Sequence, residues 1–234
     1  MQYIVKPGGQ LSGSFRVPGD KSISHRSIML GSIANGVTEV HGFLEGDDAL
    51  ATLEAFRAMG VNIEGPNNGH VKIHGVGING LQKPQGDLYV GNAGTAMRLL
   101  SGLMAGQKFS VTLTGDRSLT KRPMNRVANP LREMSVIIDT ADEGRPPMTI
   151  HGGTPTAIHY DMPMASAQVK SCLLLAGLYA DGTTSVTEPA PTRDHTERML
   201  RGFGYVVQSK MHEGKNHISL AGGGELNAIT IDVP

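Results

Sequence analysis

The alternation of apolar and polar positions divides the chain into amphipathic helices and short strands. The segment LATLEAFRAM, residues 50–59, places Leu53 and Phe56 on one helix face. The segment VKIHG, residues 71–75, alternates apolar and polar side chains, which indicates a strand with one buried face. The run SCLLLAGLYA, residues 171–180, is apolar but far shorter than the roughly 20 residues of a membrane span, so it suits a buried helix.

The predicted elements recur three times in one order: strand, helix, glycine turn, strand, second helix and two short strands. Such self-similarity indicates repeated structural units. The glycine turns lie at residues 34–36, 105–107 and 180–182, and the second helices are predicted to begin at Asp47, Arg122 and Arg193. We therefore expect a single α/β domain over residues 1–234. Its three βαβαββ units are expected at about residues 13–80, 87–153 and 157–222.

The first helix of each unit follows a short strand. These helices are predicted to begin at Lys21, Gly94 and Ala165, after strands at residues 14–17 (SFRV), 87–90 (DLYV) and 157–160 (AIHY). In the third unit YVVQ, residues 205–208, is also predicted to be a strand. Gly60 and Gly204 follow the second helices, where a left-handed residue commonly ends a helix, whereas the second unit has Ser135 there.

The last residues of the chain resemble its beginning. The segment AITIDVP, residues 228–234, is similar to GSFRVP, residues 13–18, at the entrance to the first unit. One interpretation is that a fourth unit begins here, so that the chain is the front part of a larger, two-domain protein. The alternative is an ordinary terminal strand that ends in proline.

Composition narrows the class of protein. The chain has 21 Lys and Arg against 21 Asp and Glu, and only 4% of its residues are aromatic, which argues against a nucleic-acid binder. Its one cysteine, Cys172, cannot form an internal disulfide, and its first residues lack the apolar stretch of a secretion signal. We expect a soluble cytoplasmic protein that binds neither nucleic acid nor membrane.

One glycine-rich segment imitates a cofactor motif. GVGING, residues 75–80, matches the dinucleotide pattern G-x-G-x-x-G, but it leads into LQKP rather than a helix. No acidic residue follows about 20 residues later, so we interpret the segment as a connecting loop. The histidines are scattered without the spacing of zinc ligands, so neither a metal nor a cofactor is expected.

Three loops rich in small and hydroxyl residues precede or open the first helices. They are GDKSISHR (19–26), GNAGTAMR (91–98) and MASAQVK (164–170). Helix N-termini bind anions through their free N–H groups and the positive end of the helix dipole. Cations cluster with these loops, namely Lys21, Arg26, Arg98, Lys121, Arg122 and Arg193. A lone cation is more simply a solvated surface charge, but the whole set indicates an electropositive pocket.

Five motifs together resemble a known family. PGDKSISHR, GNAGTAMRLLSG, LTGDRSLTKRPM, ASAQVKSCLLLAGLYADG and TRDHTERML, in this order, are similar to the 5-enolpyruvylshikimate-3-phosphate (EPSP) synthase family. The resemblance spans essentially the whole chain. It implies an inside-out α/β barrel of two domains, each built from three such units around inward-facing helices. It also implies a 3-phosphoshikimate 1-carboxyvinyltransferase, which moves the enolpyruvyl group of phosphoenolpyruvate onto shikimate 3-phosphate in chorismate and aromatic amino acid biosynthesis.

The resemblance assigns binding roles residue by residue. Shikimate 3-phosphate would contact Lys21, Ser22, Arg26, Ser166, Ala167, Gln168 and Arg193. Phosphoenolpyruvate, or its competitor glyphosate, would contact Lys21, Gly94, Arg122 and Gln168. Supporting positions are Asn92, Thr95, Arg98 and Asp48, the last of which alternatively only caps its helix. Other members have Ser-Ser-Gln at residues 166–168 and Pro-Leu at 99–100, so this chain resembles the branch with an arginine at 193.

The resemblance also implies which groups of the active site are missing from this chain. In the family the carboxylates credited with proton transfer come from a second, C-terminal domain, so no catalytic residue is expected in this chain. We expect the chain to fold alone, to bind substrate weakly and to be inactive without its partner domain. The alternatives are a UDP-N-acetylglucosamine enolpyruvyl transferase, which shares the fold but commonly has a reactive loop cysteine, and a non-catalytic binding domain.

Overall fold

The computed structural model describes residues 2–10, 12–212 and 214–234. Within these residues it contains six α-helices and three four-stranded sheets. The helices are α1 (Lys21–Ser32), α2 (Asp47–Ala58), α3 (Gly94–Ala105), α4 (Asn125–Glu133), α5 (Ala167–Gly177) and α6 (His195–Gly202). The strands are β1 (Asn35–His41), β2 (Asn62–Asn67), β3 (His70–Val76), β4 (Leu88–Tyr89), β5 (Val111–Thr114), β6 (Ile137–Ala141), β7 (Arg145–His151), β8 (His159–Asp161), β9 (Thr183–Glu188), β10 (Gln208–His212), β11 (Lys215–Ala221) and β12 (Thr230–Asp232).

The three sheets share one topology. Their strand orders are β12-β1-β3-β2, β4-β5-β7-β6 and β8-β9-β11-β10. In each sheet the first two strands are parallel and the remaining neighbours are antiparallel. The threefold repetition predicted from the sequence is therefore present in the strand pairing.

The helices lie inside and the sheets outside. Nearly all of α1, α3 and α5 is buried, and residues 24–32 of α1 are buried without interruption. The sheets instead have one buried face, which in the first sheet carries Val40 and Val71. The α3 and α5 backbones approach closely at Gly102, where a Cβ atom would lie 2.0 Å from the carbonyl oxygen of Cys172. This arrangement confirms the predicted inside-out α/β fold.

The prediction of a strand at residues 14–17 is wrong. In the first sheet β12 occupies the position that β4 and β8 occupy in the other two sheets, parallel to the first long strand. Two backbone hydrogen bonds extend this pairing, from Val233 N to the His41 carbonyl (2.8 Å) and from Asp20 N to the Pro234 carbonyl (3.0 Å). An edge accepts one neighbour, so residues 14–17 are left without a ladder partner and Phe15 is 88% exposed.

Three predicted helix starts and two strands are displaced, and one of these strands, predicted at residues 157–160, is β8 at His159–Asp161. A 3₁₀ turn spans Leu119–Lys121, and Arg122, which follows it, is extended before Pro123. Helix α4 therefore begins at Asn125 instead of Arg122. Helix α5 begins at Ala167 rather than Ala165, because extended Ser166 caps it. Helix α6 begins at His195 rather than Arg193. The strand predicted at residues 205–208 begins only at its last residue, as β10.

Other local predictions are confirmed. Gly60 and Gly204 have φ values of 85° and 84°, and Ser135 keeps the same left-handed conformation with a φ of 64°. The segment GVGING leaves β3 and enters a loop rather than a helix. Among the described residues, no helix combines the length and apolarity needed to cross a membrane.

Candidate functional site

The N-terminal ends of four helices meet around one narrow cavity of about 30 Å³. Its lining comprises Ser22 and Arg26 of α1, Thr95 of α3, Ala167 and Gln168 of α5, and Arg193 and His195 at the start of α6. Helix starts carry N–H groups without intrahelical partners, so their convergence favours an anion. The loops singled out in the sequence therefore come together in space.

Arg26 is buried at the floor of this cavity. Its guanidinium donates hydrogen bonds to Thr196 Oγ1 (2.6 Å), Ser171 Oγ (2.8 Å) and the Ser22 carbonyl (2.9 Å). Burial is the main cause that lowers the pKa of Arg26 to about 10; the charge of Glu197 opposes this decrease and the charge of Arg193 adds to it. Arg26 remains protonated at neutral pH, and its hydrogen bonds go to uncharged oxygen atoms.

A second group of cations surrounds the start of α3. A Cβ atom on Gly94 would lie 3.0 Å from Arg98 Nη1 and 3.2 Å from Arg122 Nη1. Arg122 donates hydrogen bonds to Asn92 Oδ1 and to Ser118 Oγ, the latter at 3.2 Å. Burial lowers the pKa of Arg98, and the positive charge of Arg122 lowers it further. The positively charged Arg98 and Arg122 side chains therefore lie beside Gly94, which has no side chain of its own.

Asp116 fixes the support of Arg122. Its carboxylate accepts hydrogen bonds from the backbone N–H groups of Leu119 (2.7 Å) and Ser118 (2.9 Å) and from Asn92 Nδ2 (2.7 Å). These hydrogen bonds, first among them that from Leu119, lower the pKa of Asp116. Asn92 is thereby oriented with its carbonyl oxygen toward Arg122, so the carboxylate acts on the arginine through a neutral amide.

The two groups of cations are joined by α5. Gln168 Nε2 donates a hydrogen bond to Thr95 Oγ1 at 2.9 Å, which links the start of α5 to the start of α3. Ser166 caps α5 by accepting from Val169 N at 3.4 Å. Gln168 therefore lies between the cavity around Arg26 and the cations around Gly94.

Arg193 is exposed on the loop before α6 and reaches Ser22 Oγ at 3.5 Å. A buried ionic cluster anchors this loop from behind. Lys170 Nζ lies 2.9 Å from Glu188 and 2.6 Å from Glu197, and all three side chains are buried. Thr192 donates a further hydrogen bond to Glu188. Because an unpaired buried charge is costly, this ionic cluster fixes the positions of β9, the loop before α6 and α6 relative to α5.

Lys21, the residue before Ser22 of the cavity lining, forms an ion pair with Asp48. Asp48 makes no capping hydrogen bond to α2, whose cap residue is Gly46, so the alternative of a pure helix cap is wrong. Lys121 is exposed and lines an open hollow beside Arg122. Every candidate residue from the sequence thus lies in or next to one of the two cation groups.

Sequence reasoning missed several participants. His195 lines the cavity, and burial followed by the charge of Arg26 lowers its pKa. Its position inside the motif TRDHTERML was the available signal. Ser171 and Thr196 hold Arg26, and Lys170, Glu188 and Glu197 hold the α6 loop. Their spacing along the sequence does not indicate these contacts, because the contacts join segments that lie far apart along the chain.

A wider hollow elsewhere offers an instructive contrast. It measures about 640 Å³ and lies between the turn after α6 and the end of β11, and among the described residues Glu225 is the only charged one that lines it. Such a lining does not attract anions. The narrow cavity combines convergent helix starts with cations and is the better candidate site.

Comparison with known proteins agrees with this geometry. A family model described as EPSP synthase (3-phosphoshikimate 1-carboxyvinyltransferase) matches residues 5–234. A protein of Hydrogenovibrio crunogenus named 3-phosphoshikimate 1-carboxyvinyltransferase is 65% identical over 100% of this chain and 53% of its own length. One of Methylococcus capsulatus with the same name is 63% identical over 99% of this chain and 52% of its own length.

A solved structure gives the same result. EPSP synthase from Acinetobacter baumannii superposes with a TM-score of 0.89 and 63% identity, covering 95% of this chain and 49% of that structure's chain. The chain thus spans about half the length of the relatives it matches.

Proposed function

The chain belongs to the EPSP synthase family, and on this basis we propose that its protein transfers the enolpyruvyl group of phosphoenolpyruvate to the 5-hydroxyl of shikimate 3-phosphate. The curated relatives carry the name of this activity, and they are about twice as long as this chain. The proposal therefore concerns the whole protein. These residues contribute the binding groups described above, and a second domain contributes the remainder of the site.

One observation carries the proposal: the site arginines are held by neutral atoms. Arg26, Arg98 and Arg122 donate to hydroxyl, carbonyl and amide oxygens. Across residues 2–10, 12–212 and 214–234, no carboxylate forms an ion pair with these three or with Arg193. Arginines collected without counter-ions suit a substrate that brings its own negative charge.

We assign the phosphate of shikimate 3-phosphate to the cavity. Ser22, Arg26, Gln168 and Arg193 line it together, and Ser166 lies at its edge as the cap of α5. Arg193 is exposed, so it can swing onto an arriving phosphate. Ala167 offers backbone N–H at the helix start rather than a hydroxyl. Lys21 lies one residue from Ser22, within reach of both substrates.

We assign phosphoenolpyruvate to the cations around Gly94. The absent side chain at Gly94 leaves space in front of Arg122, whose guanidinium Asn92 and Ser118 orient. Gln168 joins this subsite to the first through Thr95. Two anions would then be held side by side, and arginine charge offsets the repulsion between them.

The chemistry explains the division of labour. Transfer forms a bond between the 5-oxygen and the enolpyruvyl carbon, breaks the bond to phosphate, and releases the hydroxyl proton. The arginines hold the reacting anions and stabilise the departing phosphate. Proton transfer by positioned acids and bases typically contributes about 10²–10⁴-fold. We propose that the carboxylates that transfer this proton belong to the second domain, so that this chain alone binds the substrates without catalysing their reaction.

Cys172 weakens the alternative transferase. Its thiol is buried in α5, and burial raises its pKa, whereas a reactive loop cysteine needs exposure and a lowered pKa. Residues 1–234 are proposed to form one domain of a cytoplasmic enzyme. A purely non-catalytic binding role would appear as phosphate binding without turnover in the full-length protein.

Titration of the chain with each substrate tests the assignment. We expect shikimate 3-phosphate to bind weakly, with about −4 kcal/mol or near 1 mM, if half of the contacts are present. Backbone amide resonances at Lys21–Arg26 and Ala165–Gln168 should shift first. No shift at these helix starts at saturating substrate would overturn the assignment.

Arg122→Ala tests the second subsite in the full-length protein. A charge-assisted hydrogen bond contributes about 1.5–3 kcal/mol, so phosphoenolpyruvate affinity should fall roughly ten- to two-hundredfold. Shikimate 3-phosphate affinity should remain. Lys210→Ala, which removes an exposed cation from β10, is the matched control. Unchanged phosphoenolpyruvate binding in Arg122→Ala would contradict the placement.

Glyphosate is proposed to compete for the phosphoenolpyruvate subsite. Ala at position 94 would bring a methyl group to about the contact limit of Arg98 and Arg122, which then must shift. The larger inhibitor should lose more affinity than the smaller substrate. Measured inhibition and KM for Gly94→Ala should therefore diverge, and equal losses would count against this placement.

A further inference from the structure

Two histidines and a glutamate converge on the outer face of the first sheet, away from the helix starts. Glu39 and His41 lie two residues apart on β1, so they point to the same face. His70 begins β3 on the antiparallel neighbour, one residue beyond the Val40–Val71 pair, so the continued register brings it opposite His41. One ligating atom from each of the three lies within 4.8 Å of the others.

This geometry suits a borderline transition-metal ion. Zinc bound at about 2.0–2.1 Å places tetrahedral ligand atoms about 3.4 Å apart, so the ligands must close in from their present limit of 4.8 Å. Imidazole lone pairs lie in the ring plane, so one of the two stacked rings must also rotate about its Cβ–Cγ bond before both face the same ion. Both histidines are exposed, and their rings stack 12° from parallel with centroids 4.9 Å apart. Imidazole and carboxylate together are donors that Zn²⁺ accepts, whereas Mg²⁺ and Ca²⁺ prefer oxygen alone.

We propose that Glu39, His41 and His70 form a binding site for Zn²⁺ or a similar divalent transition metal on the outer face of the first sheet. Asp232 neighbours His41 on β12 and is placed to approach as a fourth ligand. The bound ion would link β1 to β3, and through Asp232 it would also link them to β12. The site is separate from the anion cavity and independent of the proposed enzyme activity.

A neighbouring cation sets the strength of this site. Lys72 Nζ lies 3.8 Å from Glu39 Oε1, and His70 Nε2 lies 3.9 Å from Glu39 Oε2. Lys72 therefore competes with a metal for the carboxylate. Lys72→Ala should therefore strengthen metal binding.

The third sheet supplies a matched control with the same residue types. His159 and His217 also stack, with centroids 5.3 Å apart, and Asp161 lies 3.3 Å from His159. Their ring nitrogens, however, contact hydroxyls: His159 Nδ1 lies 2.8 Å from Ser185 Oγ, and His217 Nδ1 lies 3.3 Å from Thr187 Oγ1. Metal binding at Nδ1 would have to break these contacts, and among the described residues the side chains of His159, Asp161 and His217 do not bring one ligating atom each within 4.8 Å of the others.

Sequence spacing predicted no metal site because it considers ligands close together along the chain. Here His41 and His70 belong to different strands with α2 and β2 between them, and only strand pairing unites them. A zinc motif within one loop is readable from sequence, whereas a site across two strands is not.

Titration of the tag-free chain with Zn²⁺ by calorimetry, and with Co²⁺ by its visible absorption, tests the proposal. We expect one ion per chain and the intense absorption of tetrahedral Co²⁺. His41→Asn and His70→Asn should each weaken Zn²⁺ binding at least about tenfold, the smaller loss typical when even a supporting contact is removed. His217→Asn should bind as the unchanged chain does.

Circular dichroism melts establish that each variant is folded. His41 and His70 are exposed, so we expect their replacement to leave the melting temperature unchanged, whereas His217 is only partly exposed and contacts Thr187, so a small decrease is expected for His217→Asn. Unchanged binding in His41→Asn or His70→Asn would overturn the proposal. Equal weakening by His217→Asn, or no saturable Zn²⁺ binding by the chain, would also overturn it.

Discussion

At the scale of single residues, the protein separates charges that stabilise the fold from charges that await a ligand. Lys170 is neutralised by Glu188 and Glu197 in the interior, and Arg57 pairs with Glu54 on the surface. The arginines of the site instead receive only neutral partners. A zero net charge therefore conceals a locally positive region, because among the described residues no carboxylate forms an ion pair with the site arginines.

His25 makes stability depend on pH. It is buried under α2, where Nδ1 lies 2.7 Å from Thr52 Oγ1. Burial, followed by the charge of Lys21, lowers its pKa from 6.5 to about 4. Between these values the unfolded chain binds a proton that the folded chain excludes, so stability falls as the pH falls. The loss of stability at pH 4.5 is about 2–3 kcal/mol.

Urea unfolding at pH 7 and pH 4.5 measures this effect. His25→Gln, which retains a group able to bond Thr52, should lose about 2–3 kcal/mol less than the unchanged chain over this interval. Other histidines titrate in both proteins, so their contributions cancel in the difference. Identical losses in the two proteins would show that His25 is not the group responsible.

At the scale of elements, glycine determines how closely the central helices pack. Gly102 of α3 faces the α5 backbone, and a side chain there would collide with the Cys172 carbonyl. Gly202 lies in the last turn of α6, where a Cβ atom would meet only the Ile229 side chain, at an ordinary contact distance of 3.5 Å. The same residue type thus has a packing role in one helix and none in the other.

This contrast gives a paired prediction for the free energy of unfolding. Gly102→Ala forces α3 and α5 apart and should destabilise the protein by about 1–3 kcal/mol or more. Gly202→Ala should be neutral or stabilise by up to about 1 kcal/mol, because alanine loses less backbone freedom in a helix. Denaturant unfolding of both variants measures the difference, and similar values for the two would contradict the packing described.

At the scale of the whole molecule, the first sheet is completed by the end of the chain. Residues 13–18 and 229–234 share a similar pattern, GSFRVP and ITIDVP, but only the second pairs with β1. Ile231 and Val233 are 9% and 1% exposed, whereas the corresponding Phe15 and Val17 are 88% and 59% exposed. Two segments with similar sequence patterns therefore bury different amounts of apolar surface and contribute differently to the free energy of unfolding.

Alanine substitution at the corresponding positions tests this difference. Ile231→Ala should destabilise the chain by about 2–5 kcal/mol, toward the lower end since the side chain is not fully enclosed. Phe15→Ala should change stability by less than about 0.5 kcal/mol, although it removes a larger side chain. Thermal and denaturant unfolding report both values. A larger loss for Phe15→Ala would reverse the strand assignment.

Local and periodic features of this protein could be predicted from its sequence. The repeated order of elements, the buried helices, the left-handed glycines after α2 and α6, and the cationic loops at helix starts all follow from patterns within short segments. Such patterns are legible because helix and strand periodicity, capping and charge act over a few residues. Of the site residues implied by the family resemblance, Ser22, Arg26, Thr95, Ala167, Gln168 and Arg193 line the cavity where those loops converge.

The meeting of distant segments could not be predicted in this way. Two similar segments, at residues 13–18 and 229–234, fit the edge of β1, and long-range hydrogen bonding in the folded chain selects the second. The support of Arg26 by Ser171 and Thr196, the place of His195 in the cavity, and the meeting of His41 with His70 likewise join separate elements. Local propensity carries no record of such partners, because strand pairing and helix packing depend on the whole fold.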